Sequence, residues 1–200
     1  MENCIRKARM GNEELRIVLD ECEESPREWD NLGKIVCWHK RYLMPQEGTR
    51  KFDTPEDFNN YLKEIGYKAL ILPIFMYDHS GVSISTSGNQ YPFNDYWDAG
   101  QIGYIYVTYE DIRKEYSVKR ISKETMQKAK NVLLGEVETY DQFLRGDVYG
   151  FVLVGLEKCD HGVEHENPID SCYGFYGNDA TKNGMLEHLD AKWKKAEWEN

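Results

Sequence analysis

Asp78-His79-Ser80-Gly81 closes an apolar run that begins at Leu72, and Asp95 and Asp98 stand in the loop before the next apolar run, Ile102 to Thr108. If both loops meet at one end of a sheet, Asp78, His79, Asp95 and Asp98 bring carboxylates and an imidazole together. Such a set can bind a divalent metal and activate water for phosphoryl or acyl chemistry. The same letters also build turns, because Asp side chains bond nearby backbone N–H groups and Gly supplies positive φ. A relay through Ser80, His79 and Asp78 is disfavoured: neighbours on an extended chain point to opposite faces, and no Gly-x-Ser-x-Gly elbow exposes Ser80.

Cys37 and His39 flank Trp38 and share one strand face, so they are weak candidates for metal ligands, with Cys172 as a third. A buried thiol and a hydrogen-bonded imidazole explain the same residues without a metal. Cys159, His161 and His165 crowd into one segment, but that segment has the character of an exposed hairpin tip. Tyr91, Phe93, Tyr96 and Trp97 fall in a loop, where aromatics serve as anchors for a protein partner or as platforms for bases. The acidic run Asp20 to Glu24 suits a solvated face better than phosphate mimicry, since basic residues are interspersed through the chain.

The elements that must carry these residues are partly legible. Leu15 to Leu19 alternates as a half-buried strand, and Lys34 to Tyr42 reads as a second strand beside it. Thr54 as N-cap and Pro55 at the first helical position start a helix whose apolar face is Phe58, Tyr61, Leu62 and Ile65, ended by Gly66. Tyr67 to Tyr77 is a central strand, with Pro73 marking a bulge or an edge. Val82 to Thr86 and Ile102 to Thr108 continue a meander, and Thr108 caps a short helix. Met126, Ala129, Leu133, Val137, Tyr140 and Leu144 recur at helical spacing from Ser122 to about Leu144. Two strands, Val148 to Val154 and Asp170 to Tyr176, follow, and a last helix is expected from Ala180 to Trp198. Together these predict a single α+β domain over residues 1–200, with a mostly antiparallel sheet of six or seven strands and helices packed on one side.

Composition sets the outer limits. Hydrophobic residues at 40% suffice for a core. Five scattered cysteines without a Cys-x-x-Cys pair suit a reducing cytoplasm better than a disulfide framework. The longest apolar run, Ala69 to Met76, is too short to span a membrane, and the first residues lack the apolar segment of a signal peptide. A net charge of −10 disfavours direct binding to nucleic acid and favours a partner with a basic face.

Three blocks, Tyr77-Asp-His-Ser-Gly81, Trp97-Asp-Ala-Gly-Gln-Ile-Gly103 and Gly146-Asp-Val-Tyr-Gly-Phe151, resemble an uncharacterised family of phage and mobile-element proteins. Trp29-Asp-Asn-Leu-Gly33, Tyr140-Asp-Gln142 and Ser171-Cys-Tyr-Gly-Phe-Tyr-Gly177 extend the resemblance over most of the chain. It implies an accessory protein in the host cytoplasm that binds a macromolecular partner, such as an inhibitor of host defence of the anti-CRISPR or anti-restriction type. On that reading the aromatic loop, Tyr91, Phe93, Tyr96 and Trp97, contacts the partner, no cofactor is needed and catalysis is absent. The alternative is a small metal-dependent hydrolase or nucleotide-processing enzyme using Asp78, His79, Asp95 and Asp98.

Overall fold

A computed structural model describes residues 4–39, 41, 51–79, 81–86 and 99–199. In chain order the elements are β1 (Cys4–Met10), β2 (Glu13–Leu19), the 3-10 turn η1 (Pro26–Glu28), β3 (Lys34–Cys37), α1 (Pro55–Glu64), β4 (Ala69–Asp78), β5 (Val82–Ser85), β6 (Ala99–Thr108), α2 (Tyr109–Glu115), α3 (Lys123–Leu144), β7 (Val148–Lys158), β8 (Glu164–Tyr176), and the 3-10 turns η2 (Met185–Glu187) and η3 (Trp193–Lys195). They form an α+β fold with all strand pairs antiparallel. The chain divides into two compact units, residues 1–24 with 146–200 and residues 25–145. The strands accordingly form two four-stranded sheets.

The first unit holds the sheet β1-β2-β7-β8. Leu15, Ile17, Tyr149, Phe151 and Leu153 alternate onto one face, where Met185, Leu189 and Trp193 of the C-terminal segment cover them. That segment is not the expected helix. Gly184 takes φ +85°, a left-handed conformation that interrupts a helix, and only the short turns η2 and η3 form. The four-residue spacing of Met185, Leu189 and Trp193 therefore reflects burial against the sheet, without a continuous helix beneath it. On the opposite face the strands carry charge: Arg16 bonds Glu14 at 2.6 Å and grips Glu166 at 2.6 and 2.9 Å, while Arg9 holds Glu164 at 2.8 and 3.3 Å.

The second unit holds the sheet β3-β6-β4-β5. The order departs from a meander: β5 pairs with β4 only, and β6 passes to the other side of β4. The expected pairing of Leu15–Leu19 with Lys34–Cys37 does not form, because β2 pairs with β1 and β7, and β3 pairs with β6. Pro73 sits ahead of the stretch Phe75 to Asp78 that meets β5, and a bulge follows between Ile74 and Phe75. A residue lacking an N–H is tolerated there.

Helices cover both faces of this sheet rather than one. Ala129, Leu133, Val137 and Tyr140 of α3 pack on Leu72, Ile74, Met76, Ile105 and Val107. Phe58 and Leu62 of α1 pack on Val36 and Tyr106 from the other side. Each fully buried side chain such as Leu133 contributes about 1.5–3 kcal/mol. The N-cap expected at Thr54 is present and extends to a capping box, with Thr54 Oγ1 accepting from Asp57 N at 3.1 Å and Asp57 Oδ2 accepting from Thr54 N at 3.0 Å.

A buried ion pair anchors the segment that opens this unit. Arg27 Nη1 donates to Glu136 Oε2 at 3.3 Å, and Nη2 donates to the Gly33 carbonyl at 2.6 Å. The Glu136 carboxylate also accepts from Leu32 N at 2.8 Å and Gly33 N at 3.0 Å. Burial pushes the Glu136 carboxyl up and the Arg27 guanidinium down from their ordinary values, against the attraction between them. Gly33 is required by this closeness, since a Cβ there would lie 2.6 Å from Glu136 Oε2.

Candidate functional site

The ends of β3, β4 and β6 form an open rim in the second unit. Along β3 the side chains alternate: Cys37 packs with the α3-side core and Trp38 with the α1-side cluster. His39, next in the alternation, returns to the face of Cys37, whose Sγ accepts from His39 N at 3.5 Å. On β4, Met76 faces the α3-side core, and Asp78 follows two residues later on that face. Tyr77 and His79 lie on the other face, with ring centroids 6.0 Å apart.

The consequence for the predicted set is specific. Asp78 and His79 diverge, and the imidazole that shares a cleft with Asp78 is His39. A cleft of about 380 Å³ is lined by His39, Met76, Asp78, Ala99, Gly100, Gln101 and Ile102. Arg41 approaches Asp78 at 3.5 Å. Asp95 and Asp98, like Ser80 and the aromatic set Tyr91, Phe93, Tyr96 and Trp97, lie outside the described residues.

A second cleft of about 570 Å³ shares His39, Gln101 and Ile102 with the first and adds Trp38, Pro55, Gly103 and Tyr104. Trp38 and Tyr104 stand edge to face with centroids 6.1 Å apart, and Trp38 Nε1 donates to the Phe52 carbonyl at 3.1 Å. Gly103 lets β3 approach β6, since a Cβ there would fall 1.9 Å from the Val36 carbonyl oxygen. Sequence reading missed this aromatic corner because Trp38 and Tyr104 are distant in the chain and each reads as an ordinary strand residue. The one available signal was alternation, which sets Trp38 and His39 on opposite faces at a strand end.

Of the metal candidates, Cys37 Sγ accepts from the His39 backbone N–H at 3.5 Å, and Cys172 belongs to the first unit. Burial raises the Cys37 thiol above its ordinary value, which disfavours the thiolate a metal would need. Among the described residues no group of three or more His, Cys, Asp or Glu side chains is arranged to hold a metal ion.

The first unit presents a different surface. It carries 9 basic and 18 acidic residues, net −9, against 16 and 17, net −1, in the second unit. At one end of its sheet, Asp20 Oδ2 accepts from Gly174 N at 3.0 Å and the Tyr176 hydroxyl donates to the Glu24 carbonyl at 2.5 Å. Burial and then the charges of Asp20, Glu23 and Glu24 raise the Tyr176 hydroxyl above its ordinary value. Leu19, 39% exposed, precedes this acidic turn in sequence, and Tyr173, 50% exposed, precedes Gly174, whose N–H Asp20 accepts.

No protein-family model, curated protein or solved structure matches the chain. Among the described residues no helix is long and apolar enough to cross a membrane.

The β8 edge is guarded against strand addition. Pro168 lacks a donor, Asp170 Oδ1 occupies Ser171 N at 2.8 Å, Asp20 occupies Gly174 N, and two register shifts interrupt the ladder with β7. Such features blunt an edge, so a partner would meet side chains there before backbone.

Proposed function

We propose that the chain is a phage or mobile-element accessory protein of the host cytoplasm that binds a macromolecular partner with a basic face. Inhibition of host defence, of the anti-CRISPR or anti-restriction type, is the activity this reading assigns. The observation that carries it is the segregation of charge, net −9 in the first unit against −1 in the second. A solubility surface has no reason to concentrate its charge so, whereas complementary potentials steer association and select partners. Leu19 and Tyr173 supply apolar area beside the acidic turn, the mixture that interface cores and rims use. The resemblance of the Tyr77–Gly81, Trp97–Gly103 and Gly146–Phe151 blocks supplies the phage context.

The test is capture from host lysate by the wild-type chain and by a variant with Glu21, Glu23 and Glu24 changed to Gln. The expected result is a stoichiometric partner held at about 0.05 M salt and released at about 0.5 M, where charges are screened within a few ångströms. The triple variant should lose it at either concentration. Recovery of nothing specific, or recovery indifferent to the three substitutions, refutes the proposal.

One observation favours a second reading, a small metal-dependent hydrolase or nucleotide-processing enzyme: the cleft that Asp78 shares with His39. Phosphoester turnover that needs Mg²⁺ or Mn²⁺ and disappears in Asp78→Asn would establish it, and the absence of turnover with either ion would remove it.

A further inference from the structure

The first sheet has two outer strands, and the edge of β1 differs from the guarded edge of β8. β1 contains no proline, and its residues from Cys4 to Arg9 are exposed apart from Ala8. One extended segment already lies on it. Lys7 N donates to the Glu199 carbonyl at 3.0 Å, and Glu199 N donates to the Lys7 carbonyl at 2.7 Å, which makes one antiparallel rung. The segment that brings Glu199 there alternates as a strand does: Ala196 and Trp198 pack on the apolar cluster of the sheet, while Glu197 and Glu199 are exposed.

This rung takes up only part of the edge. Lys7 turns its N–H and carbonyl away from β2, so in the register that pairs Lys7 with Arg16 and Arg9 with Glu14 the backbone of Arg9 turns the same way. Among the described residues the pairing with residues 196–199 is confined to Lys7, two positions short of Arg9. A strand laid in the register of Glu199 and kept straight for two more residues would reach Arg9 and add a second pair of backbone bonds.

Side chains decide which strand fits. β1 carries Arg6, Lys7 and Arg9 and no acid. Like charges directly opposite one another disfavour pairing, so this edge selects against a second copy of β1 and in favour of a strand that bears acids. Lys7 Nζ lies 4.0 Å from Glu14 of its own sheet and 4.0 Å from Glu199, so an added carboxylate joins the existing pair without displacing it. The position between the acids, held by Trp198, meets the apolar cluster. A matching segment is therefore extended, with an aromatic residue between two acids.

We propose that the outer edge of β1 is a strand-addition site for an extended acid-aromatic-acid segment of a partner protein, and that residues 196–199 occupy it in the free chain as a built-in competitor. Backbone bonds to Lys7 and Arg9 supply the affinity of such a mode, and alternate side chains supply its selectivity. The site uses none of the acidic-turn residues, so it stands or falls separately from the surface proposed above.

The probe is a blocked peptide copying residues 194–199, Lys-Lys-Ala-Glu-Trp-Glu. It is titrated into the full chain as wild type, as Glu199→Pro, which removes the donor to the Lys7 carbonyl, and as Trp198→Ser, which removes the apolar anchor. Nitrogen-15 NMR should give both variants a dissociation constant below about 1 mM and the wild type one at least about fivefold weaker, because the resident segment must leave first. Hydrogen exchange at the Arg9 amide should slow on binding. A peptide with both Glu changed to Gln should bind about fivefold more weakly than the parent. Glu199→Pro keeps Trp198 and every residue of the sheet, so the test survives a Trp198→Ser chain that fails to fold. Absence of saturable binding to Glu199→Pro up to about 10 mM overturns the proposal. So does binding that leaves Arg9 exchange unchanged, equal affinity of wild type and variants, or equal affinity of the Gln peptide. A variant that dimerises with Arg9 protected in the absence of peptide would assign the edge to a second copy and overturn it as well.

Discussion

Replacing Glu136 by Leu tests the reading of the buried clamp most directly. The side chains of Arg27 and Glu136 are 2% and 12% exposed, so neither charge is solvated in the folded state. Glu136→Leu leaves the Arg27 guanidinium buried without its counter-charge and removes the acceptor from Leu32 N and Gly33 N. Breaking one side of a buried pair costs about 3–5 kcal/mol, a large share of the 5–15 kcal/mol that a domain has in total. Arg27→Met should cost less, about 2 kcal/mol, because Glu136 keeps its two backbone donors and can take up a proton, which Arg27 cannot lose. The double replacement should recover most of the loss, since two apolar side chains of similar volume leave no orphaned charge. Urea denaturation followed by circular dichroism gives the energies, and hydrogen exchange at the Leu32 and Gly33 amides localises them. A loss below about 1 kcal/mol in Glu136→Leu, with those amides still protected, would refute the argument.

Gly103→Ala should destabilise the second unit by about 2–4 kcal/mol, because the new methyl meets the rigid Val36 carbonyl, and melting temperature with β3 amide exchange will show it. Gly150→Ala should cost only about 1 kcal/mol by the same measurements, as the ring it meets belongs to half-exposed Tyr173, which can rotate aside. Glu164 and Glu166 are held below the ordinary carboxylate value by the hydrogen bonds of Arg9 and Arg16. Their contribution is therefore complete above the unfolded-state value of about 4.3 and is lost as pH falls through their lower folded values. Denaturation between pH 3 and 6 should show that slope in the first unit and its reduction in Arg16→Gln. A chain joining Glu24 to Gly146 through a short Gly/Ser linker should fold cooperatively, with dispersed amide resonances, because Leu19 and Tyr149 are already paired strand residues in one sheet.

Local signals in the sequence were legible where the physics is local. Thr54 with Asp57 and Ser122 with Thr125 cap helices through atoms three residues apart, and the α3 stripe needs only its own periodicity. Pairing of β2 with β7 joins residues 130 or more positions apart, so nothing near Leu15 announces Leu153. The two sheets were for that reason read as one. β1 was missed because its charged, mostly exposed residues lack the apolar alternation that marks a strand. At the candidate site the sheet end was identified through Asp78, but its imidazole was assigned to the neighbour in sequence, His79, when alternation hands that place to His39 on another strand. Charge segregation was hidden by the whole-chain total, because the units interleave along the sequence.

The clamp between Arg27 and Glu136 also bears on the order of folding. β2 and β7 are separated by the 121 residues of the second unit, and the first sheet is incomplete until they meet. Glu136 ties the entering segment to α3, whose end at Leu144 precedes the return to Gly146 by two residues. Once that tie has formed, closing β2 on β7 spans an effective loop of roughly twenty residues in place of 121, which lowers the closure entropy by about 1.5 kcal/mol. Loss of Glu136 would then slow the first unit's refolding without touching a single residue of its sheet.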